Sequence, residues 1–135
     1  MKKILGLDYG KKNIGISLSD PFCSIAFPHG KVERDKSLEE IKKLLESENI
    51  KTIVLGKPMN LKGQETKMTQ EVIEFKEKLK IITDIPVVLQ DERLSSIAVD
   101  KAFQQMNINS KKRRPIKDAL EACHILQSYL DKTNN

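Results

Sequence analysis

The sequence predicts a single α/β domain built on a mixed five-stranded sheet with helices on its faces. Three observations predict it: two apolar runs at the start joined by a glycine turn, two helical patterns alternating with short β-branched runs in the middle, and an amphipathic helix at the end. A chain of 135 residues has room for one core. With 39% hydrophobic and 32% charged residues it can bury that core, and it is too apolar for a disordered chain.

Lys3 to Tyr9 reads as a buried strand and Asn13 to Ser19 as its hairpin partner, because Gly10-Lys11-Lys12 is a three-residue loop carrying the glycine such a turn favours. A third strand falls between Ser24 and Val32, where Pro28 and Gly30 confine it to an edge or to an irregular path. Ser37-Leu38-Glu39-Glu40 reads as a capping box that starts a helix ending near Asn49, with Leu38, Ile41, Leu44 and Leu45 on one face. The strand Thr52 to Leu55 follows, then a loop from Gly56 to Gly63. A second helix is marked by Met68, Val72, Phe75 and Leu79, and a last strand by Pro86 to Gln90. Ser95 or Ser96 caps a third helix running to about Met106. A basic loop, Asn107 to Arg114, then leads to a final helix with Pro115 in its first turn and Ile116, Ala119, Leu120, Cys123, Leu126 and Leu130 on its inner face. A hairpin and third strand followed by two helix-connected parallel strands is the element order of the ribonuclease H-like fold; a generic α/β sandwich is the alternative, and periodicity alone does not separate the two.

Several classes are excluded. No apolar run approaches the roughly 20 residues a bilayer crossing needs, and Asp8 interrupts the apolar stretch that a signal peptide would require after Met1-Lys2-Lys3. Cys23 and Cys123 have no metal-ligand spacing, so both are expected as reduced, buried thiols of a cytoplasmic protein. A net charge of +5 favours polyanionic partners. With no Trp and only six Phe and Tyr, recognition of nucleic acid should rest on phosphates and shape.

Carboxylates at element ends are the candidates for chemistry. Asp8 interrupts an otherwise apolar strand, where an ionised group needs a partner or a cation; alternatively it accepts backbone amides from the Gly10 turn. Asp91-Glu92-Arg93 follows directly on a core strand, where open α/β sheets place their ligands, or else it caps the next helix. Asp118 suits the first turn of the last helix with or without a function. Acids converging from separate segments would suit a hard divalent cation, and two such ions can drive phosphodiester hydrolysis without a side-chain nucleophile.

Four motifs then occur in order: Gly6-Leu7-Asp8-Tyr9-Gly10-Lys11-Lys12-Asn13-Ile14-Gly15-Ile16-Ser17, Gly56-Lys57-Pro58-Met59-Asn60-Leu61-Lys62-Gly63, Asp91-Glu92-Arg93-Leu94-Ser95 and Asp118-Ala119-Leu120-Glu121-Ala122. Across nearly its whole length the chain resembles the YqgF/RuvX family of bacterial pre-16S rRNA nucleases, relatives of Holliday-junction resolvases. The resemblance implies a ribonuclease H-like fold, dependence on Mg²⁺ or Mn²⁺, and endonucleolytic trimming of the 5′ end of precursor 16S rRNA. It also implies catalytic and metal-ligating roles for Asp8, Glu92 and Asp118, with Asp91 as substitute or helper for Glu92. The junction resolvases end their fourth strand with an acid. Here Gly56-Lys57-Pro58 ends it, so Glu92 would have to reach inward from the next strand.

For nucleic acid, Lys57, Asn60 and Arg93 are the expected phosphate donors, and Lys111, Lys112, Arg113 and Arg114 form the densest positive run; a solvated loop is the other reading of that run. His29, His124 and the serines have no partner spacing for catalysis. The expected partner is structured RNA, precursor 16S rRNA alone or in a ribosomal particle. A four-way DNA junction and a non-catalytic RNA-binding assembly factor are the alternatives, and the sequence leaves monomer and homodimer open.

Overall fold

The computed structural model describes residues 2–92 and 110–134. Its elements in chain order are β1 (Lys3–Tyr9), β2 (Asn13–Ser19), β3 (Ala26–Glu33), α1 (Ser37–Ser47), β4 (Ile50–Lys57), α2 (Lys67–Ile82), β5 (Val87–Asp91) and α3 (Ser110–Thr133). The strands form one sheet in the order β3-β2-β1-β4-β5. β1, β2 and β3 pair antiparallel, while β4 joins β1 and β5 joins β4 in parallel. This is the predicted mixed sheet, with Pro28 on the edge strand. Arg93 and the helix expected from Ser95 or Ser96 to Met106 lie outside the described residues.

Alternation along β1 divides the molecule into two layers. Leu5 and Leu7 join Ile14, Ile16, Ile53 and Leu55 against Ile41 of α1 and Val72, Phe75 and Leu79 of α2. On the other face Ile4 and Val54 pack with Ile125, Leu126 and Leu130 of α3. Among the described residues no helix is long and apolar enough to cross a membrane.

Three local expectations are corrected. Ser37 is not the capping residue of α1: a 3-10 turn, Arg34–Lys36, leads into the helix, and the Ser37 hydroxyl donates to the Arg34 carbonyl at 2.6 Å. A true capping box opens α2 instead. There the Thr66 hydroxyl accepts from the Thr69 amide, and the Thr69 hydroxyl accepts from the Thr66 amide and donates to the Pro58 carbonyl. Residues 110–114 are helical rather than a loop, so Pro115 is the sixth residue of α3 and not in its first turn. Lysine and arginine are good helix formers, and Pro115, close to the start of the helix, costs it the one hydrogen bond to the carbonyl of residue 111 and crowds that carbonyl.

Burial also departs from the pattern in detail. Thr69, not Met68, is the buried residue of α2's first turn. Ile116 is 42% exposed, whereas Ala119, three residues on, is buried. The two cysteines are free, as expected, but only half-buried.

Candidate active site

The site forms where α3 crosses the C-terminal end of β1, and small residues allow the approach. Ser17 donates to the Ala122 carbonyl of α3 at 2.8 Å, a buried bond that fixes the helix on β2. A Cβ on Gly6 would lie 2.8 Å from Leu126 Cβ and collide with the Ser17 hydroxyl, and one on Gly15 would land on the Asp118 carbonyl oxygen. No side chain fits at either position without moving the helix. Asp8 pairs with Gly15 on one side, and on the other Gly56 follows Leu55, the partner of Leu7. Asp8 therefore stands in a bay with a glycine on each flank.

Gly56 explains how an acid reaches this bay from the neighbouring strand. The Glu92 amide donates to the Lys57 carbonyl at 3.2 Å, which carries the chain one residue past β5. The Glu92 side chain then folds back over Gly56, its Cδ and Oε1 at 2.9 and 3.0 Å from where a Cβ at position 56 would sit. A Cβ at position 56 would also come within 2.6 Å of Cδ1 of the buried Ile125, so Gly56→Ala is expected to displace Glu92 and to lower cleavage about tenfold or more, with a melting temperature reduced by the repacking of Ile125; kinetics and thermal melts on one preparation test this.

From α3 the side chain of Glu121 reaches Asp8. Asp8 hydrogen-bonds the side chains of both Glu121 and Glu92. Burial, then the charge of Glu92, then the bond and charge of Glu121 push the Asp8 carboxyl up to about 10. Burial and the two acidic neighbours thus favour the protonated form of Asp8. Asp118 sits one turn before Glu121; burial raises it most, Lys31 opposes that rise, and Glu121 adds to it. Lys117 lies 3.9 Å from Glu121, whose side chain is only 12% exposed. Sequence reasoning took Asp118 as the helix acid, yet Glu121 in the same motif is the one bonded to Asp8. Its signal was the i, i+3 spacing to Asp118, which puts both on one helix face.

The metal-free protein should show this arrangement in its stability. Below the ordinary Asp value of 3.8 folded and unfolded chains both hold the proton; from there to about 10 only the folded chain does, so stability falls as pH rises through that window. In EDTA the melting temperature is expected to be lower at pH 8 than at pH 5. Asp8→Asn should flatten that dependence and melt above wild type at pH 8.

The expected phosphate donors are placed variously. Lys57 ends β4 and pairs with Glu65 at 3.6 Å. Asn60 is engaged within its own loop: its Oδ1 accepts from the Lys62 and Gln64 amides at 3.0 and 2.9 Å, and its Nδ2 donates to Gln64 at 3.0 Å. Gly63, with φ of 78°, closes this turn. The run 111–114 forms the first turns of α3, on the same helix as Asp118 and Glu121.

A mixed sheet in this order, with carboxylates gathered at the end of its first strand beneath the last helix, defines a ribonuclease H-like protein of the nuclease class. The chain belongs to the RuvX family, whose model, described as Holliday junction resolvase, matches residues 2–132, and it is a hydrolase of phosphodiester bonds. Relatives named "Putative pre-16S rRNA nuclease" include one from Clostridium kluyveri, 35% identical over 96% of this chain and 97% of its own, and one from Sulfurihydrogenibium sp., 41% identical over 98% and 92%. Among solved structures, Thermus thermophilus RuvC in complex with a Holliday junction superposes with a TM-score of 0.59 at 10% identity, over 100% of this chain and 97% of that one. Fowlpox virus resolvase with Holliday junction DNA gives 0.56 at 14% identity, over 98% and 99%. At such identities these two show a shared fold.

Proposed function

We propose that the protein is a divalent-metal-dependent endonuclease that trims the 5′ end of precursor 16S rRNA. The observation that carries this reading is the convergence of the Asp8, Glu92 and Glu121 side chains at the sheet's C-terminal edge, in a chain whose relatives are named for that substrate.

The residues suit Mg²⁺ or Mn²⁺ by chemistry: the donors are all carboxylate oxygens, the hard ligands these ions prefer. The carboxylates hydrogen-bond one another, and among the described residues no group of three or more His, Cys, Asp or Glu is spread as a ligand set. A cation would take the place of the Asp8 proton, so binding should release protons and tighten as pH rises. When bound, the ion would activate water and offset charge developing on the phosphate.

The chain's own groups hold and orient. Asp8, Glu92 and Glu121 would grip the cation, with Asp118 one turn back as a fourth carboxylate. Glu92 rests on Gly56 and Glu121 on a helix fixed by Ser17, so the backbone carrying each is already in place and a cation would require only that the side chains turn from one another toward it. Lys57, Arg93 and the run Lys111, Lys112, Arg113 and Arg114 would hold the phosphate backbone, with Asn60 shaping the loop beside them.

The test is cleavage of a precursor 16S rRNA 5′ fragment and of a four-way DNA junction, with Mg²⁺, Mn²⁺ or EDTA. Metal-dependent cutting of the RNA, abolished by EDTA, is the expected result. Paired symmetric cuts in the junction would instead favour a dimeric resolvase, because a two-fold axis is then required. RNA binding without cutting of free RNA or of a pre-ribosomal particle would favour the assembly-factor reading.

A further inference from the structure

On the opposite face of the sheet from Asp8 lies a cavity of about 510 Å³ that the carboxylate chemistry does not use. Ligand pockets commonly span about 300–1,000 Å³. Its wall is Tyr9, the residue after Asp8, whose ring stands against Phe75 of α2 with centroids 4.9 Å apart and planes tilted by 46°. Its charged lining comprises Arg34 and Lys78 with Asp35 and Glu39, two cations balanced by two carboxylates.

That lining selects among ligands. A polyanion would meet as much repulsion as attraction inside, whereas a neutral, flat group with donors and acceptors on its edge could lie on the Tyr9 ring and bond the polar rim. A nucleobase has those properties, and every base has a π-face to stack. Phosphates on either side of it have their own partners: Lys11 and Lys12 stand exposed in the β1–β2 turn, and the Arg34 amide donates to the Lys12 carbonyl at 2.8 Å, tying that turn to the cavity.

We propose that this cavity receives an unpaired base of the substrate strand, from a nucleotide close to the scissile phosphate, as the strand passes over the β1–β2 turn. The proposal rests on the nuclease reading for its substrate and extends it: Asp8 and Tyr9 have Cα atoms about 3.8 Å apart and face opposite sides of one strand. Position along the strand would then be set by a base that can leave its stack, which an unpaired nucleotide does at far less cost than one in a continuous duplex. Aromatic content was expected to be too low for base stacking, but one partly exposed ring in a cavity suffices for one base.

The chain has two tyrosines and no tryptophan, so Tyr129→Phe leaves Tyr9 as the sole emitter. This variant is titrated with a short single-stranded RNA, with an abasic strand of the same length, and with adenosine monophosphate, binding of the strands being followed separately by anisotropy. Saturable quenching of Tyr9 emission by the RNA and not by the abasic strand is expected. Tyr9→Leu, which keeps an apolar side chain against Phe75, should weaken RNA binding about tenfold and leave abasic-strand binding unchanged. Equal quenching by the abasic strand, full RNA binding with unchanged emission, or quenching by the mononucleotide at the concentrations that suffice for RNA would each overturn the proposal. RNA cleavage with no change in Tyr9 emission would sink the base site and leave the nuclease standing; base-dependent quenching without cleavage would do the reverse.

Discussion

Asp8→Asn and Glu121→Gln are each expected to lower single-turnover cleavage of precursor 16S rRNA by roughly 10²–10³-fold, about 3–4 kcal/mol of transition-state stabilisation. Asparagine and glutamine keep the size of the acids and can keep one hydrogen bond of the cluster, so what is lost is the negative charge that would hold a cation. Asp118→Asn, one turn away, should also reduce the rate. The folded state should survive all three, because burial and two acidic neighbours all disfavour the charged form of Asp8 in the metal-free protein. Melting temperatures equal to or above wild type, together with the rate loss, separate a functional role from a structural one. Wild-type cleavage by Glu121→Gln would remove it from the site and leave Asp118 as the helix acid.

Gly15→Ala should cost more stability than any single change of charge in the site. A Cβ at position 15 meets the Asp118 carbonyl oxygen, a backbone atom that can yield only if α3 moves off the sheet. Overpacking typically costs about 1–3 kcal/mol and occasionally more; with the backbone of a long helix in the way, about 3 kcal/mol is expected, a fall of roughly 10 °C in melting temperature. Activity should fall further than stability, since lifting α3 separates Glu121 from Asp8. A melting temperature within about 2 °C of wild type would mean that the helix is not held so closely.

The fold was legible because its signals are local. The Gly10 turn, the 3.6-residue spacing of Val72, Phe75 and Leu79, and the runs before Gly56 and Asp91 each announce an element, and connection rules order them into one sheet. Entry into helices was harder. Ser37-Leu38-Glu39-Glu40 has the spelling of a capping box, but the 3-10 turn before it takes the serine hydroxyl, whereas the reciprocal Thr66 and Thr69 pair lacks the usual Glu or Gln. The basic run before Pro115 read as a loop because proline marks helix starts more often than interiors. At the site, Asp8 and Glu92 stood out as acids at strand ends. Glu121 did not: an acid within an amphipathic helix looks like surface, and only the close seating of α3 over Gly6 and Gly15 turns it toward Asp8. Tyr9 was hidden likewise, as one residue of an apolar strand.

Asp8 and Glu121 are joined in space but lie far apart in the order of translation. The ribosome releases the first strand early, and the sheet can pair while α3 is still being made. Until that helix has emerged and Ser17 has found the Ala122 carbonyl, Asp8 has no partner from it. A site built this way stays incomplete until the last helix has folded back onto the first hairpin, so its chemistry is coupled to the final packing step of the domain.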